Sequence, residues 1–226
     1  MIVQDPCFVN YYGMISAEGA VPVPVQSKEE NEFMLDPEDV KAAITPKTKA
    51  ILINFPTNPT GAVATKENLE ALAKIAIEND LYVISDEMYR KLIYTEDEFV
   101  SIAELPGMKK RTIVIDGFSK AYAMTGWRVG YTAAPVQITS NMIKMQENVV
   151  SCVFEPAQRA ALDAITGTGL SSEEFCDRLL EEKHVVTVPG TGFGPKGEGF
   201  IRISYATSEE NIAEGLKRIR EFVESL

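Results

Sequence analysis

AILINFPTNPTGAVATKENLEALAKIAIENDLYVISD, residues 50–86, holds two short apolar runs with an amphipathic helical pattern between them. The runs Ala50–Asn54 and Leu81–Ser85 have the length and composition of buried strands. Thr65 is a good helix N-cap, and the apolar residues after it recur at helical spacing, namely Leu69, Leu72, Ala73 and Ala76. This order of strand, helix and strand predicts a βαβ unit with parallel strands.

The same alternation continues on both sides of this unit. Thr112–Asp116 and Arg128–Ala133 are predicted strands, and Asp36 followed by Pro37 predicts the start of another helix. The sequence therefore predicts an α/β fold with a mainly parallel sheet, and sheets of this kind bind ligands at the carboxyl ends of their strands.

Two more helices are predicted towards the end of the chain, opening at Ser172 and at Ser208. We expect their apolar residues to lie in a core: Phe175, Leu179 and Leu180 in the first helix, and Ile212, Leu216, Ile219 and Val223 in the second.

Composition excludes several classes of function. The chain has 226 residues and a net charge of −11, and its lysines and arginines are scattered, which argues against a nucleic-acid partner. No apolar run approaches the roughly 18 residues of a membrane span, and the first residues do not resemble a signal peptide. The three cysteines, Cys7, Cys152 and Cys176, lack CxxC spacing; they are typical of the reducing cytoplasm and argue against a structural zinc site.

His184 is the single histidine of the chain, so a Ser-His or Cys-His nucleophile would depend on it alone. It begins the run His184–Pro189, which we interpret as a buried strand, and we expect a structural role for it. If the protein is an enzyme, lysine is the natural candidate for proton transfer.

Two polar segments follow predicted strands. Asn54–Gly61 is interpreted either as a turn or as a loop that holds the Asn58 amide at a strand end, where it can donate to a ligand oxygen. Asp86 is interpreted either as a helix N-cap or as a buried carboxylate that needs a cationic partner. Tyr89 lies three residues later, on the same side of a helical turn.

Two segments carry cations. Lys120 stands among small and apolar residues, with Ser119 before it and Arg128 after it. One interpretation makes Lys120 and Arg128 solvated surface charges. In the other, desolvation favours the neutral amine of Lys120, which is then nucleophilic and suited to Schiff-base chemistry, and Arg128 belongs to the same site. Arg202 in Gly199–Tyr205 either faces outward from a strand or presents a planar fork to a carboxylate. The GxGxxG match at 192–197 is interpreted as a turn, because another predicted strand follows it instead of a helix.

Four segments, in this order, resemble the class I/II aminotransferases, the aspartate-aminotransferase superfamily of pyridoxal-phosphate enzymes. They are NFPTNPTG at 54–61, SDEMY at 85–89, SKAYAMTGWRVGY at 119–131, and VPGTGFG with GFIRISYA between 188 and 206. The resemblance implies the fold of these transferases: a large domain over 1–167 with helices on both faces of a mainly parallel sheet, and a smaller α+β domain over 168–226. Family members are longer, so both domains are expected to be partial, with a stretch missing near Gly167–Leu170.

The resemblance also implies roles for the candidate residues. Lys120 matches the catalytic lysine that forms a Schiff base with the cofactor and moves the Cα proton. Asp86 matches the carboxylate that faces the pyridine nitrogen, and Asn58 and Tyr89 match the pair that bonds the phenolic oxygen. Ser119 and Arg128 match residues that bind the cofactor phosphate. Arg202 and Asn58 match residues that bind the substrate.

The activity implied is exchange of an amino group between an amino acid, with a lean towards aspartate and aromatic types, and a 2-oxo acid such as 2-oxoglutarate. A pyridoxal-phosphate lyase would use the same residues, and a non-catalytic binding module, such as the aminotransferase-like half of a transcription regulator, is a third alternative. The family also implies a homodimer with shared active sites. The composition, as described above, predicts a cytoplasmic protein without a metal, a nucleic acid or a membrane as a partner.

Overall fold

The structure is a computed structural model, and it describes residues 1–167, 169–203 and 208–226. The chain forms two compact units, Met1–Ala157 and Gln158–Leu226. None of the helices among these described residues is long and apolar enough to cross a membrane.

The first unit is built on a six-stranded sheet. Its strands are β1 (Ile2–Asp5), β2 (Val23–Gln26), β3 (Ala50–Asn54), β4 (Tyr82–Asp86), β5 (Thr112–Gly117) and β6 (Gly130–Ala133). The spatial order is β2-β1-β3-β4-β5-β6; neighbouring strands are parallel, except that β6 runs antiparallel to β5 at one edge. The predicted mainly parallel α/β fold is therefore confirmed.

Helices cover both faces of this sheet. α1 (Asn10–Ala17) lies on one face, and α2 (Pro37–Ala42) and α3 (Lys66–Glu78) lie on the other. α4 (Val136–Val149) follows β6 and has no buried residue. Successive side chains of a strand point to opposite faces, so Ile51 and Ile53 of β3 pack with α2 and α3, whereas Leu52 packs with α1. Each face thus has its own apolar cluster.

The two predicted helix starts in this unit are confirmed. The Asp36 side chain accepts a hydrogen bond from the backbone N–H of Glu38, and that of Thr65 accepts one from Asn68. The predicted apolar stripe of α3 is buried, with Leu72 1% and Ala76 0% exposed. Local chemistry and burial therefore agree for this helix.

Three strands have bounds that differ from the prediction. β5 ends one residue later than expected, at Gly117. β4 begins and ends one residue later than expected, so that Asp86 is the last residue of the strand. β6 begins at Gly130, because Arg128 has a left-handed backbone (φ 53°) and lies outside the sheet. The segment before β6 is thus a turn instead of a strand.

The second unit combines helices with one small sheet. Its elements are α5 (Glu155–Thr166), which contains the division between the units, α6 (Ser172–Lys183), β7 (Val188–Pro189), β8 (Ile201–Arg202) and α7 (Glu209–Val223). β7 and β8 pair antiparallel. Phe175, Leu179 and Phe222 form the core of this unit.

Several predictions for this unit need correction. His184 is exposed and caps α6 in a left-handed conformation (φ 57°), so the buried strand predicted from it is wrong; only Val188–Pro189 is extended. Leu180 and Leu216 are 45% and 55% exposed, while Phe222, which was not predicted, is fully buried. The end of the predicted strand Gly199–Tyr205 lies partly outside the described residues.

The GxGxxG segment forms 3₁₀ turns, Gly190–Phe193 and Pro195–Gly197, and the next element is the strand β8. The prediction of a turn is therefore confirmed.

Candidate active site

The carboxyl ends of β3 and β4 meet in the middle of the large sheet. Asn54 ends β3 and Asp86 ends β4, and the two residues are register partners. The segments that follow them carry Asn58 and Tyr89, so the parallel order of the strands brings both predicted polar segments to one edge.

Asp86 is half-buried and is held by two hydrogen bonds. Its Oδ2 accepts from the hydroxyl of Tyr11 at 2.5 Å, and its Oδ1 accepts from the backbone N–H of Met88 at 3.1 Å. The chain after β4 makes a turn, so the interpretation of Asp86 as a helix N-cap is wrong. The side chain that contacts Asp86 is thus a neutral tyrosine donor.

The predicted pair Asn58 and Tyr89 is assembled. The Asn58 amide donates to the Tyr89 hydroxyl at 3.1 Å, and both side chains are half-buried. A cavity of about 510 Å³ adjoins them, and its lining includes Val63, Leu92 and Ile93. The pair therefore lies beside a space large enough for a small ligand.

Asn54 connects this pair to Asp86. Its side-chain oxygen accepts from the backbone N–H of Asn58 at 2.9 Å, and its amide donates to the backbone carbonyl of Asp86 at 2.9 Å. Asn54 is 2% exposed, so neither contact competes with bulk water. Asn54 was not predicted as a site residue; its place at the end of a buried strand is the signal that could have identified it.

Lys120 lies close to Tyr89, but its side chain is exposed to solvent. Its ammonium nitrogen lies 5.9 Å from the centroid of the Tyr89 ring. The side chain is exposed, so the apolar environment expected for it is not provided by the residues described.

Ser119 and Arg128 are connected through Thr125. The Thr125 hydroxyl donates to the carbonyl oxygen of Ser119 at 3.0 Å, and the Arg128 guanidinium donates to the carbonyl oxygen of Thr125 at 3.1 Å. Arg128 is exposed and Ser119 is half-buried. Both predicted phosphate ligands thus belong to one compact turn that includes Lys120.

A second network fixes the start of this turn. Asp116 is 6% exposed and accepts from Arg90 Nε at 2.5 Å, from the Tyr131 hydroxyl at 2.7 Å and from the Gly117 N–H at 2.6 Å. It joins the ends of β5 and β6 to the segment that carries Tyr89. Sequence reasoning missed this network, since its members lie far apart in the chain.

Glu87 is a buried carboxylate that also was not predicted. It is 4% exposed and accepts from the hydroxyls of Ser85 at 3.0 Å and Ser101 at 2.6 Å. Burial raises the pKa of Glu87 above its ordinary value of 4.5. Its neighbour Asp86 faces Tyr11, so two adjacent carboxylates have separate environments.

Arg202 belongs to the second unit. It lies on β8 and is exposed, and its guanidinium carbon is 5.4 Å from the centroid of the Phe193 ring. This contact holds the guanidinium against an aromatic face and leaves its donors accessible.

A family model described as aminotransferase class I and II matches residues 1–172 and 165–219. The chain belongs to the class I and II aminotransferases. The two parts of the match meet near Gly167–Leu170, where the resemblance implies a missing stretch. The chain is therefore an enzyme of the aminotransferase type, and its family depends on pyridoxal phosphate.

Individual aminotransferases support this assignment. A putative aminotransferase of Bacillus subtilis, YugH, is 41% identical over 99% of this chain and 69% of its own length. An aspartate aminotransferase of Pyrococcus abyssi is 38% identical over 98% of this chain and 69% of its own length. The solved aromatic aminotransferase of Pyrococcus horikoshii is 37% identical with a TM-score of 0.72, and the match covers 99% of this chain and 73% of that one.

The described side chains fit the cofactor of this family. A half-buried carboxylate at a strand end suits a protonated ring nitrogen, the Asn58–Tyr89 pair suits an anionic ring oxygen, and a primary amine beside them suits an aldehyde. No cluster of three or more side chains suited to a metal ion occurs in the described part of the chain.

Proposed function

We propose that this aminotransferase moves an amino group from an aspartate-type or aromatic amino acid to a 2-oxo acid such as 2-oxoglutarate, with Lys120 as its catalytic residue. The observation that carries the proposal is the hydrogen bond between Asn58 and Tyr89 at 3.1 Å, with the Lys120 ammonium 5.9 Å from the same tyrosine ring. Three groups of different chemistry thus converge beside one strand edge.

Each residue has a defined task. Pyridoxal phosphate, when bound, supplies an aldehyde for the amine and an electron sink for the charge left at the substrate Cα. Lys120 holds the cofactor and then removes and returns the Cα proton. Asp86 accepts a hydrogen bond from the ring nitrogen, and Asn58 and Tyr89 bond the phenolic oxygen.

The charged ends of the ligands are assigned to other residues. Ser119 and Arg128, held in one turn by Thr125, bind the phosphate. Arg202 is assigned to the substrate carboxylate, since an exposed guanidinium offers two parallel donors. A fixed carboxylate orients the Cα–H bond for removal.

The lining of the cavity beside Asn58 and Tyr89 bears on the amino donor. The side chains that form it are apolar or neutral, including Val63, Leu92 and Tyr94. An aromatic side chain is well accommodated in such a space, whereas a second carboxylate would be desolvated without compensation. We therefore expect aromatic donors to react faster than aspartate.

The proposal extends to the domains, the oligomeric state and the compartment of the enzyme. Residues 1–167 would be the cofactor-binding domain and 168–226 part of a smaller one. A homodimer with shared active sites is supported by α4, whose side chains Ile143, Met145 and Val149 are exposed. The free cysteines, three in number, favour the cytoplasm.

The deciding experiment is a visible absorption spectrum of the protein with pyridoxal phosphate, before and after single amino acids. We expect a visible band that bleaches with an amino acid and returns with 2-oxoglutarate. Lys120→Ala should abolish the band, while Lys91→Ala, which removes a nearby amine bonded to Tyr122, should keep it. Ammonia released without any 2-oxo acid would indicate a lyase, and a band unaffected by Lys120→Ala would disprove the assignment of that lysine.

A further inference from the structure

Tyr11 reaches Asp86 from the helix on the opposite side of the sheet from α3. It lies on α1, is 7% exposed and packs in the apolar cluster that contains Val3 and Leu52. Its hydroxyl is the only polar atom of the side chain, and it points to Asp86 Oδ2 at 2.5 Å. The ring is thus fixed by apolar packing while its hydroxyl reaches the strand end.

Burial and the neighbouring Asp86 raise the pKa of Tyr11 above its ordinary value. The hydroxyl therefore keeps its proton at neutral pH and acts as a donor. A carboxylate oxygen can accept more than one hydrogen bond, so Asp86 Oδ2 retains capacity for a ligand while it is held by Tyr11.

We propose that Tyr11 is the positioning residue of Asp86: its hydroxyl fixes the carboxylate plane and draws part of its negative charge, and so sets how strongly Asp86 binds the cofactor ring nitrogen. This inference rests on the proposed function, in which Asp86 faces that nitrogen. Tyr11 acts through Asp86 and needs no contact with the cofactor.

The chain contains a matched control. Tyr12 is the next residue on α1, and its hydroxyl also donates to a carboxylate, Asp5 Oδ1, at 2.9 Å. Tyr12→Phe therefore removes the same atom and the same type of bond from the same helix, away from Asp86. Any difference between the two variants reports on Asp86 and not on loss of a tyrosine hydroxyl.

The first measurement uses the cofactor-free protein and needs no activity. Urea unfolding of wild type, Tyr11→Phe, Asp86→Ala and the double variant gives the coupling between the two side chains. We expect the destabilisation by Tyr11→Phe to be largely lost in the Asp86→Ala background. Equal destabilisation in both backgrounds would overturn the inference, whatever the cofactor does.

The second measurement is cofactor affinity, read from the fluorescence of Trp127, the single tryptophan, which lies between Lys120 and Arg128. Tyr11→Phe should weaken pyridoxal-phosphate binding roughly tenfold, because the carboxylate released from Tyr11 must be ordered again when the ring nitrogen binds, and this cost exceeds the gain from its greater charge. Tyr12→Phe should stay within about twofold, and Tyr11→Phe should add nothing to Asp86→Ala.

The pH at which the visible band of the bound cofactor changes distinguishes an electrostatic effect of Tyr11 on Asp86 from a purely structural role of Tyr11. Without the Tyr11 hydroxyl the carboxylate charge is less neutralised and stabilises positive charge on its ligand. The midpoint should therefore rise by about half a pH unit or more in Tyr11→Phe and stay fixed in Tyr12→Phe. An unchanged midpoint with unchanged affinity would overturn the inference, whereas wild type that fails to bind pyridoxal phosphate would overturn the proposed function and this inference with it.

Discussion

Replacing Asn54 by aspartate tests whether one buried amide holds the two polar segments of the site together. The substitution keeps the shape of the side chain but replaces its NH₂ donor by a second oxygen. The contact with the Asn58 N–H can persist, whereas the contact with the Asp86 carbonyl, now 2.9 Å, becomes oxygen against oxygen. At 2% exposure the introduced charge has little access to water.

The magnitude follows from these contacts. The Asp86 carbonyl loses one donor but keeps the backbone N–H of Phe55 at 3.3 Å, so most of the cost comes from the carboxylate charge that is buried against the carbonyl oxygen. We expect Asn54→Asp to lower the free energy of unfolding by about 3 kcal/mol, a large part of the roughly 5–15 kcal/mol of a typical domain. Pyridoxal-phosphate affinity should fall as well, since the backbone of Asp86 loses the restraint that the Asn54 amide provides.

The assay is urea unfolding at neutral pH, with Asn79→Asp as the matched control. The Asn79 amide also donates to a backbone carbonyl, that of Ile75 at 2.9 Å, but the residue is exposed. Its replacement should cost about 1 kcal/mol or less. If the two variants lose the same stability, the Asn54 amide does not tie the segments together and the reasoning is refuted.

Three further predictions concern other parts of the molecule. Because burial raises the pKa of Glu87 above 4.5, the folded state binds a proton that the unfolded state has released, and the free energy of unfolding falls as pH rises above about 4.5. Glu87→Gln should flatten this pH dependence in urea unfolding. An unchanged pH dependence would contradict the burial argument. Leu179→Ala should cost about 2–5 kcal/mol because the side chain is fully buried, whereas Leu180→Ala, at a 45% exposed position, should cost far less; comparable losses would contradict the assigned core. Arg202→Lys should raise KM for the amino acid by about tenfold, since the bidentate donor is lost, with pyridoxal-phosphate affinity unchanged; a loss of cofactor affinity instead would move Arg202 to another role.

The site lies where physical chemistry places ligands in an open α/β sheet. Parallel strands end at one edge, and the loops that follow them carry Asn58, Asp86 with Tyr89, and Lys120. Three separate segments therefore meet without a long-range sequence signal. The networks around Asn54 and Asp116 hold these loops by backbone contacts, so the arrangement is fixed before any ligand arrives.

Much of the fold could be predicted because its signals are local. The caps at Asp36 and Thr65 and the apolar stripe of α3 each lie within a few residues of the structure that they determine. The run Ala50–Asn54 is a strand with the bounds expected from its composition. The ordered segments that resemble the family likewise depend only on sequence, and they identified Asn58 and Tyr89, which the structure brings together.

Other features were settled only by tertiary structure. His184 begins an apolar run, yet it caps a helix, because α6 extends up to it and the chain then turns. Lys120 stands among small residues in the sequence, yet it is exposed, since burial depends on what packs above the segment. Tyr11 and Asp86 are 75 residues apart, and their hydrogen bond exists because α1 crosses the sheet next to the end of β4. Contacts of this kind depend on strand order and on which face each helix covers, and neither is encoded in local periodicity.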